Sequence, residues 1–299
     1  MINRYYKFSQ YLKQRFNEPV RKLSLDLGLG CPNRDGFLST GGCIYCDESG
    51  SGTGKKDISI EEQIETGLKR LSSTGTEKVI GYFQSFTNTY CSPEFLEEKL
   101  NILLNYPEIA MIYIGTRPDM ITADHLRVLE NINKKKEIGI EFGLQSSNDR
   151  TLETINRRHS VKDFENAVNI TKQFKFFITA HVIIGLPGET QEDNINTARF
   201  LSGLKIDSVK IHQLYVVRET RLELLYLTGE YIPLKFEEAV ENTIAFLRHL
   251  RRDIIIQRLT GDPKPGQASA PNWIHDKARF LKSVEDNLEG LNSFQGDLL

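Results

Sequence analysis

The sequence lacks the features that would mark a membrane protein, a secreted protein or a strongly basic nucleic-acid binder. No apolar run approaches the roughly 20 residues that span a bilayer. The opening segment Met1–Tyr6 contains no apolar core of a signal peptide. The formal net charge of −2 excludes a histone-like protein, although it leaves room for a local basic face. We therefore expect a cytoplasmic protein without membrane contact.

Cysteine is scarce as well, with 4 cysteines in 299 residues. Cys31, Cys43 and Cys46 lie close together, whereas Cys91 stands apart. Structural disulfides are rare in a reducing compartment, where clustered cysteines more often bind a metal or carry out redox chemistry. The first three cysteines are therefore the leading candidates for a metal site.

Short apolar runs alternate with segments of helical periodicity along most of the chain. An initial helix is predicted because Phe8, Leu12 and Phe16 recur at four-residue spacing. Strands are predicted, the last on the weakest pattern, at 23–29, 79–86, 110–115, 138–144, 177–184, 208–215 and 254–259. This alternation indicates an α/β fold built of βα units around a parallel sheet, either open and doubly wound or rolled into a barrel. No linker or repeat divides the chain, so we expect one domain.

Polar or glycine-rich residues lie at the ends of the predicted strands. Gln84 and Gln145 end two of them, His212 lies late in another, and Gly185 begins the turn after a fourth. In parallel α/β folds, ligands bind at the carboxyl ends of the strands. The agreement among these strand ends predicts a binding site on that face.

The strongest signal is the spacing of Cys31, Cys43 and Cys46, with eleven residues in the first gap and two in the second. A [4Fe-4S] cluster is normally held by four thiolates, so three ligands leave one iron open to an outside ligand. The alternative is a structural zinc site made of three cysteines and a histidine. No histidine lies near the three cysteines in the sequence, and they follow the first strand of a βα array. Both facts favour the iron–sulfur cluster.

The order of several short segments resembles the radical S-adenosylmethionine (SAM) proteins near the catalytic subunit of Elongator. The segments include Cys31–Gly36, Gly41–Cys46, Glu141–Ser146, Gly185–Glu189 and Ala270–Trp273. The resemblance implies a partial (β/α)6-type TIM-like barrel of parallel strands with short terminal extensions. It also implies that the [4Fe-4S] cluster and SAM together generate a 5′-deoxyadenosyl radical. Within a single domain of residues 1–299, we expect a helical extension over 1–22, the barrel core over 23–215 and a completing or covering extension over 216–299.

The resemblance also assigns roles around SAM. Tyr45 matches an aromatic residue near the adenine, and Gln145 matches a glutamine that contacts the ribose. Arg157 matches the arginine that pairs with the SAM carboxylate through two-point contact, with Arg158 as the alternative. Tyr45 and Arg157 each have a structural alternative too, loop packing for Tyr45 and a solvated charge for Arg157.

Further contacts are expected from other strand ends. Gln84 stands where related proteins bind the SAM amine, here through backbone carbonyls. Gly185 and Pro187 match a turn on the adenine side. His181 stands where relatives carry a ribose-binding acid, so a role in the core is an equal alternative. Cys91 is interpreted as an ordinary packed cysteine.

The resemblance implies tRNA as the substrate, modified at the wobble uridine, with electrons supplied by a donor such as flavodoxin or ferredoxin. The chain has no counterpart of the Elongator acetyltransferase domain, so acetyl transfer is not expected. The alternatives are a radical SAM enzyme that acts on a small metabolite, and a non-catalytic metal protein that binds RNA or a partner. Contacts with RNA phosphates are expected at Arg157–His159 and around Arg258, with Trp273 either stacking on a flipped base or packing against the barrel.

Overall fold

Seven parallel strands form a curled half-barrel in the order β1-β2-β3-β4-β5-β6-β8. The computed structural model describes residues 3–50 and 57–299. The strands are β1 (Val20–Leu25), β2 (Lys78–Phe83), β3 (Ile109–Thr116), β4 (Glu137–Gln145), β5 (Phe177–Ile184), β6 (Ser208–Gln213), β7 (Val216–Val217), β8 (Ile255–Arg258) and β9 (Ala268–Ala270). The short strands β7 and β9 pair antiparallel outside the main sheet.

Helices connect the strands and cover the convex face of the sheet. They are α1 (Phe8–Phe16), α2 (Ile60–Ser72), α3 (Pro93–Leu103), α4 (Ala123–Asn133), α5 (Asp149–Thr154), α6 (Val161–Thr171), α7 (Gln191–Gly203), α8 (Arg221–Leu227), α9 (Phe236–Arg248) and α10 (Lys277–Gly290). Many begin after a serine or threonine, as α6 does after Ser160, whose side chain accepts from the Asp163 amide while Asp163 reciprocates. Such capping satisfies amides that the first turn leaves unpaired. Within the described ranges, no helix is both long and apolar enough to cross a membrane.

The sheet is buried on both faces, and alternate residues of each strand serve different cores. In β2, Val79 and Phe83 belong to the large core shared with the covering helices. Ile80 and Tyr82 belong instead to a second cluster, which includes Phe8 of α1. Because side chains alternate across a strand, the second cluster lies inside the half-barrel. Helix α1 contacts both edge strands, β1 and β8, and so lies across the open side of the sheet.

The predicted fold is confirmed, with all seven predicted main strands present. The first strand occupies Val20–Leu25, whereas 23–29 was predicted. The chain leaves the sheet at Asp26, whose amide donates to the side-chain oxygen of Gln63, and Gly28 then adopts a positive φ of 71°. The predicted sixth strand ends at Gln213 for a similar reason, since the chain turns there toward β7.

Candidate active site

A cavity of about 270 Å³ opens at the carboxyl ends of the strands, on the face that the sequence predicted. Cys31, Cys43 and Cys46 all line it. Gln84, Gln145, Arg157, His181 and Tyr45 line it as well. No three His, Cys, Asp or Glu side chains in the described part of the chain surround one point as ligands of a single metal ion. The cavity therefore brings together most of the residues predicted for the cluster and for SAM.

The cysteine loop is held by the segment that follows α5. The Asn33 side-chain amide donates to the carbonyl of Asn156 at 2.7 Å, and the Asn156 side chain donates to the carbonyl of Gly42 at 2.7 Å. The Ile44 amide donates to the carbonyl of Ile155 at 3.1 Å, and both side chains are buried in one apolar cluster. These bonds fix the cysteine loop relative to β4, because α5 and the turn after it directly follow β4 in the chain.

Arg157 provides the positive charge nearest to Cys43. Its Nη1 lies 3.7 Å from Cys43 Sγ, and its Nη2 donates to the Gly143 carbonyl at 3.1 Å. Burial raises the pKa of Cys43, but the guanidinium groups of Arg157 and Arg117 outweigh burial and bring that pKa below its ordinary value. The thiolate is the form that binds metal, so this environment favours a ligand.

The structure distinguishes Arg157 from its neighbour Arg158. Arg157 is 8% exposed and faces the cavity, whereas Arg158 is exposed and lies outside the cavity lining. Of the three residues Arg157–His159 that were expected to contact RNA phosphates, Arg157 and His159 are buried, the latter at 6% exposure, and Arg158 is exposed. The RNA contact stays a prediction for Arg158. Arg157 instead lies where it faces the thiol of Cys43. Its contact with the SAM carboxylate stays a prediction.

Tyr45 and Cys46 complete the thiol side of the cavity. Burial and the neighbouring Cys43 raise the pKa of Cys46 to about 11, while Arg34 opposes them. The Arg34 guanidinium also donates to the Cys46 carbonyl at 2.5 Å. Burial raises the pKa of Tyr45 far above its ordinary value, so its phenol stays protonated. Tyr45 is thus a neutral aromatic residue beside Cys43 and Cys46 in the cavity lining. Its contact with the adenine stays a prediction.

Gln145 supplies a polar group that has no partner of its own. It ends β4 with φ at 75°, a left-handed conformation, and its side-chain oxygen is buried without a hydrogen-bond partner in the described residues. A Cβ at Gly143 would lie 2.5 Å from Arg157 Nη2 and 2.7 Å from Gln145 Nε2, so only glycine permits both side chains to approach. An orphan acceptor in a cavity fits a ligand hydroxyl such as that of a ribose.

The turn at Gly185–Glu189 lies apart from the cavity. Gly185 and Pro187 are not among the described residues that line it. The Gly185 carbonyl accepts a hydrogen bond from the Tyr231 hydroxyl at 2.9 Å. Glu189 accepts a bond from Ser146, which joins the turn to the end of β4. The predicted contact of Gly185 and Pro187 with SAM stays a prediction.

We expect Glu189 to make the stability of the protein depend on pH. Burial raises the pKa of Glu189 to about 7, above its ordinary value of 4.5. Between these values the folded state binds more protons than the unfolded state, so this group lowers the free energy of unfolding as pH rises from 4.5 to 7, by up to about 1.4 kcal/mol per pH unit. Glu189→Gln should therefore gain stability relative to the wild type as pH rises from 5 to 8.

Anaerobic urea unfolding at pH 5, 6, 7 and 8 measures this difference. Glu192→Gln, at an exposed position in the next helix, serves as the control and should run parallel to the wild type. If the difference in free energy of unfolding between Glu189→Gln and the wild type were the same at all four pH values, the raised pKa of Glu189 would be contradicted.

A charged cluster inside the half-barrel was not predicted from the sequence. The Glu141 carboxylate accepts from Lys210 Nζ at 2.8 Å and from the Tyr82 hydroxyl at 2.8 Å, with both ion-pair partners 4% exposed. Burial raises the pKa of Glu141, but Lys210 and Lys22 outweigh burial and hold it well below its ordinary value. Burial lowers the pKa of Lys210 to about 7 despite the nearby carboxylate. The sequence feature that could have predicted this cluster is the presence of charged residues at alternate positions of otherwise apolar strands.

Trp273 and Cys91 lie outside the cavity lining. The Trp273 ring stacks on Phe280 with centroids 5.5 Å apart, and its indole N–H donates to the Leu234 carbonyl at 2.9 Å. These contacts support the packing alternative, because one ring face and the polar edge are already used, and base stacking stays a prediction. Cys91 is partly buried, and burial raises its pKa to about 11, as for an ordinary packed thiol.

Comparison with known proteins gives consistent matches. The Radical SAM superfamily model matches residues 27–201, and the Radical_SAM C-terminal domain matches residues 206–290. The uncharacterized protein MJ0486 of Methanocaldococcus jannaschii is 35% identical over 300 residues, which covers 97% of this chain and 92% of the relative. The tRNA uridine(34) acetyltransferase of the same organism is 29% identical over 150 residues, covering 48% of this chain and 26% of that protein.

One solved structure shows the same fold. The structure of archaeal Methanocaldococcus infernus Elp3 with an N-terminal deletion superimposes with a TM-score of 0.69 at 18% identity. The match covers 92% of this chain and 64% of that chain. At this identity the likeness concerns the fold alone.

Proposed function

Because the chain belongs to the radical SAM superfamily, whose enzymes use a [4Fe-4S] cluster and SAM, we propose that this radical SAM enzyme modifies tRNA at the wobble uridine. Family membership confirms the predicted cofactors. It argues against both alternatives raised from the sequence, a structural zinc site and a non-catalytic binding protein. The tRNA substrate and the position of the modified base are our proposals. They are supported by the similarity to the tRNA uridine(34) acetyltransferase, which extends across 48% of this chain.

Cys31, Cys43 and Cys46 would hold the cluster, leaving one iron for SAM. The cluster supplies the electron for reductive cleavage of SAM, the source of the 5′-deoxyadenosyl radical that removes hydrogen from carbon. The orphan oxygen of Gln145 fits the ribose of SAM, which supports the predicted contact. Arg157 stabilises the thiolate of Cys43 and leaves no room for a side chain at Gly143.

The remaining partners follow from this proposal. A one-electron donor such as flavodoxin or ferredoxin would reduce the cluster, and tRNA would be met in the cytoplasm. The shared segment is 26% of the acetyltransferase, so acetyl transfer is not part of the proposal. A small metabolite is the competing substrate, and the experiment below separates the two.

Nucleoside analysis of tRNA tests the substrate. In a strain that lacks the gene, mass spectrometry of digested tRNA should show one wobble-uridine derivative lost or replaced by its precursor. The wild-type gene and a Cys91→Ala gene should restore it, whereas a Cys43→Ala gene should not. Unchanged tRNA nucleosides in the deletion strain would overturn the tRNA substrate and favour a metabolite.

A further inference from the structure

The inner wall of the half-barrel carries more positive than negative charge. Lys22, Lys210 and Arg258 project into it from β1, β6 and β8, and the partner of Lys210 is the single carboxylate of Glu141. Lys22 Nζ donates to the neutral Gln257 side chain at 2.6 Å. The nearby carboxylates at the cavity mouth are engaged elsewhere, Asp262 with Lys277 for example. Buried charge without a counter-charge is costly, so this wall favours an incoming anion.

Arg258, like Lys22, has no ion-pair partner at this wall among the described residues. In the described ranges 3–50 and 57–299, no carboxylate oxygen lies within 4.0 Å of its guanidinium, and its Nε is buried without a hydrogen-bond partner. Its Nη2 lies 3.3 Å from His212 Nδ1 and 3.5 Å from His181 Nε2. Burial, Arg258 and Lys210 lower the pKa of both histidines well below the ordinary value, so these rings carry no charge.

The two lysines at this wall offset their burial in other ways. Lys210 is paired with Glu141, and burial lowers the pKa of Lys22 to about 8, so Lys22 can lose its proton near neutral pH. An arginine stays protonated in proteins. Arg258 is therefore the cation at this wall that a negatively charged ligand would stabilise most.

We propose that Arg258 binds an oxyanion group of the substrate, a carboxylate or a phosphate, on the wall of the cavity that His181 and His212 share. A guanidinium fork offers the two-point contact that such a group accepts. This inference rests on the proposed function only in assigning the anion to the substrate. It narrows the expectation that RNA phosphates are contacted around Arg258 to one oxyanion group inside the half-barrel.

A second opening reaches the same residue. Arg258 also lines a cavity of about 750 Å³ at the open side of the half-barrel, where α1 lies between β1 and β8. Lys7, Lys13, Arg21 and Lys22 line that cavity too, with Glu18 as the acidic residue among its described lining. Arg258 is therefore flanked by basic residues on this side of the half-barrel as well.

Anion binding to the reconstituted, SAM-saturated enzyme tests the proposal under anaerobic conditions. Inorganic phosphate and acetate are titrated separately by calorimetry into the wild type, Arg258→Gln, Arg258→Lys and the control Arg70→Gln, an exposed position on α2 outside both cavities. We expect saturable binding of at least one probe to the wild type. Binding should weaken by at least about tenfold in Arg258→Gln, recover in part in Arg258→Lys and stay unchanged in Arg70→Gln.

The two probes identify the chemical source of the anion. Binding of phosphate alone indicates a substrate phosphate, and binding of acetate indicates a carboxylate. An arsenate soak of wild-type crystals gives a readout that needs no variant, with anomalous density expected beside Arg258. Absence of saturable binding, equal binding by Arg258→Gln, loss of binding once SAM is present, or arsenic density only elsewhere would overturn the inference. The tRNA nucleosides test the proposed function separately, since anion binding requires no turnover.

Discussion

Replacing Cys43 by alanine should abolish the four-iron cluster and with it the cleavage of SAM. Cys43 is one of three thiols in the cavity, and its thiolate form is favoured by Arg157 at 3.7 Å. With Cys43 removed, two of the three protein thiolates remain, so the cluster keeps only half of the four thiolate ligands that usually hold a [4Fe-4S] cluster. Iron and sulfide content, visible absorbance and electron paramagnetic resonance after anaerobic reconstitution measure the loss.

Cys91→Ala is the matched control for this prediction. Cys91 is a partly buried thiol outside the cavity, so its variant should take up the same amount of iron and sulfide as the wild type. A full cluster in Cys43→Ala together with a depleted one in Cys91→Ala would move the third ligand to Cys91.

Replacing Lys210 by methionine should lower the free energy of unfolding by about 3–5 kcal/mol, because it leaves the carboxylate of Glu141 buried without its closest cation. The two partners are each 4% exposed, and the Tyr82 hydroxyl is shared between them. The double variant Glu141→Gln/Lys210→Met removes both charges and should recover most of that loss. Anaerobic chemical unfolding measures all three proteins.

The control is a lysine in an exposed ion pair. Lys277 and Asp262 are 38% and 65% exposed, so Lys277→Met should cost less than about 1 kcal/mol. If Lys210→Met were no more destabilising than Lys277→Met, the buried pair would not hold the interior of the half-barrel together.

The sequence predicted the fold and the metal site because both rest on local patterns. The apolar runs of β2 to β6 are bounded by polar or glycine-rich ends, and a parallel sheet brings those ends to one face. The gap between Cys43 and Cys46 lies within one loop, so no long-range packing is needed to bring them together. The predicted bounds of the first strand were shifted from the observed ones, because the strand ends where Asp26 bonds to Gln63, a residue far away in the chain.

The charged cluster inside the half-barrel depends on how the sheet curls, and a local sequence pattern does not predict that curvature. Glu141 and Lys210 are separated by 69 positions and meet because β4 and β6 lie on either side of β5 and the curl of the sheet brings their inward side chains together. Arg158 and Arg157 are adjacent in the sequence, and the backbone turn after α5 decides which one is buried. Trp273 was open to two interpretations because its partner Phe280 lies on the following helix.

Cleavage of SAM by the reduced wild-type protein is the most direct test of the central claim. The protein, reconstituted anaerobically with iron and sulfide, is reduced with dithionite in the presence of SAM, and the products are quantified by liquid chromatography and mass spectrometry. We expect 5′-deoxyadenosine and methionine to form only when the reductant is present, and neither to form with Cys43→Ala. A wild-type protein that carries a full four-iron cluster and binds SAM, yet yields no 5′-deoxyadenosine after reduction, would contradict the account.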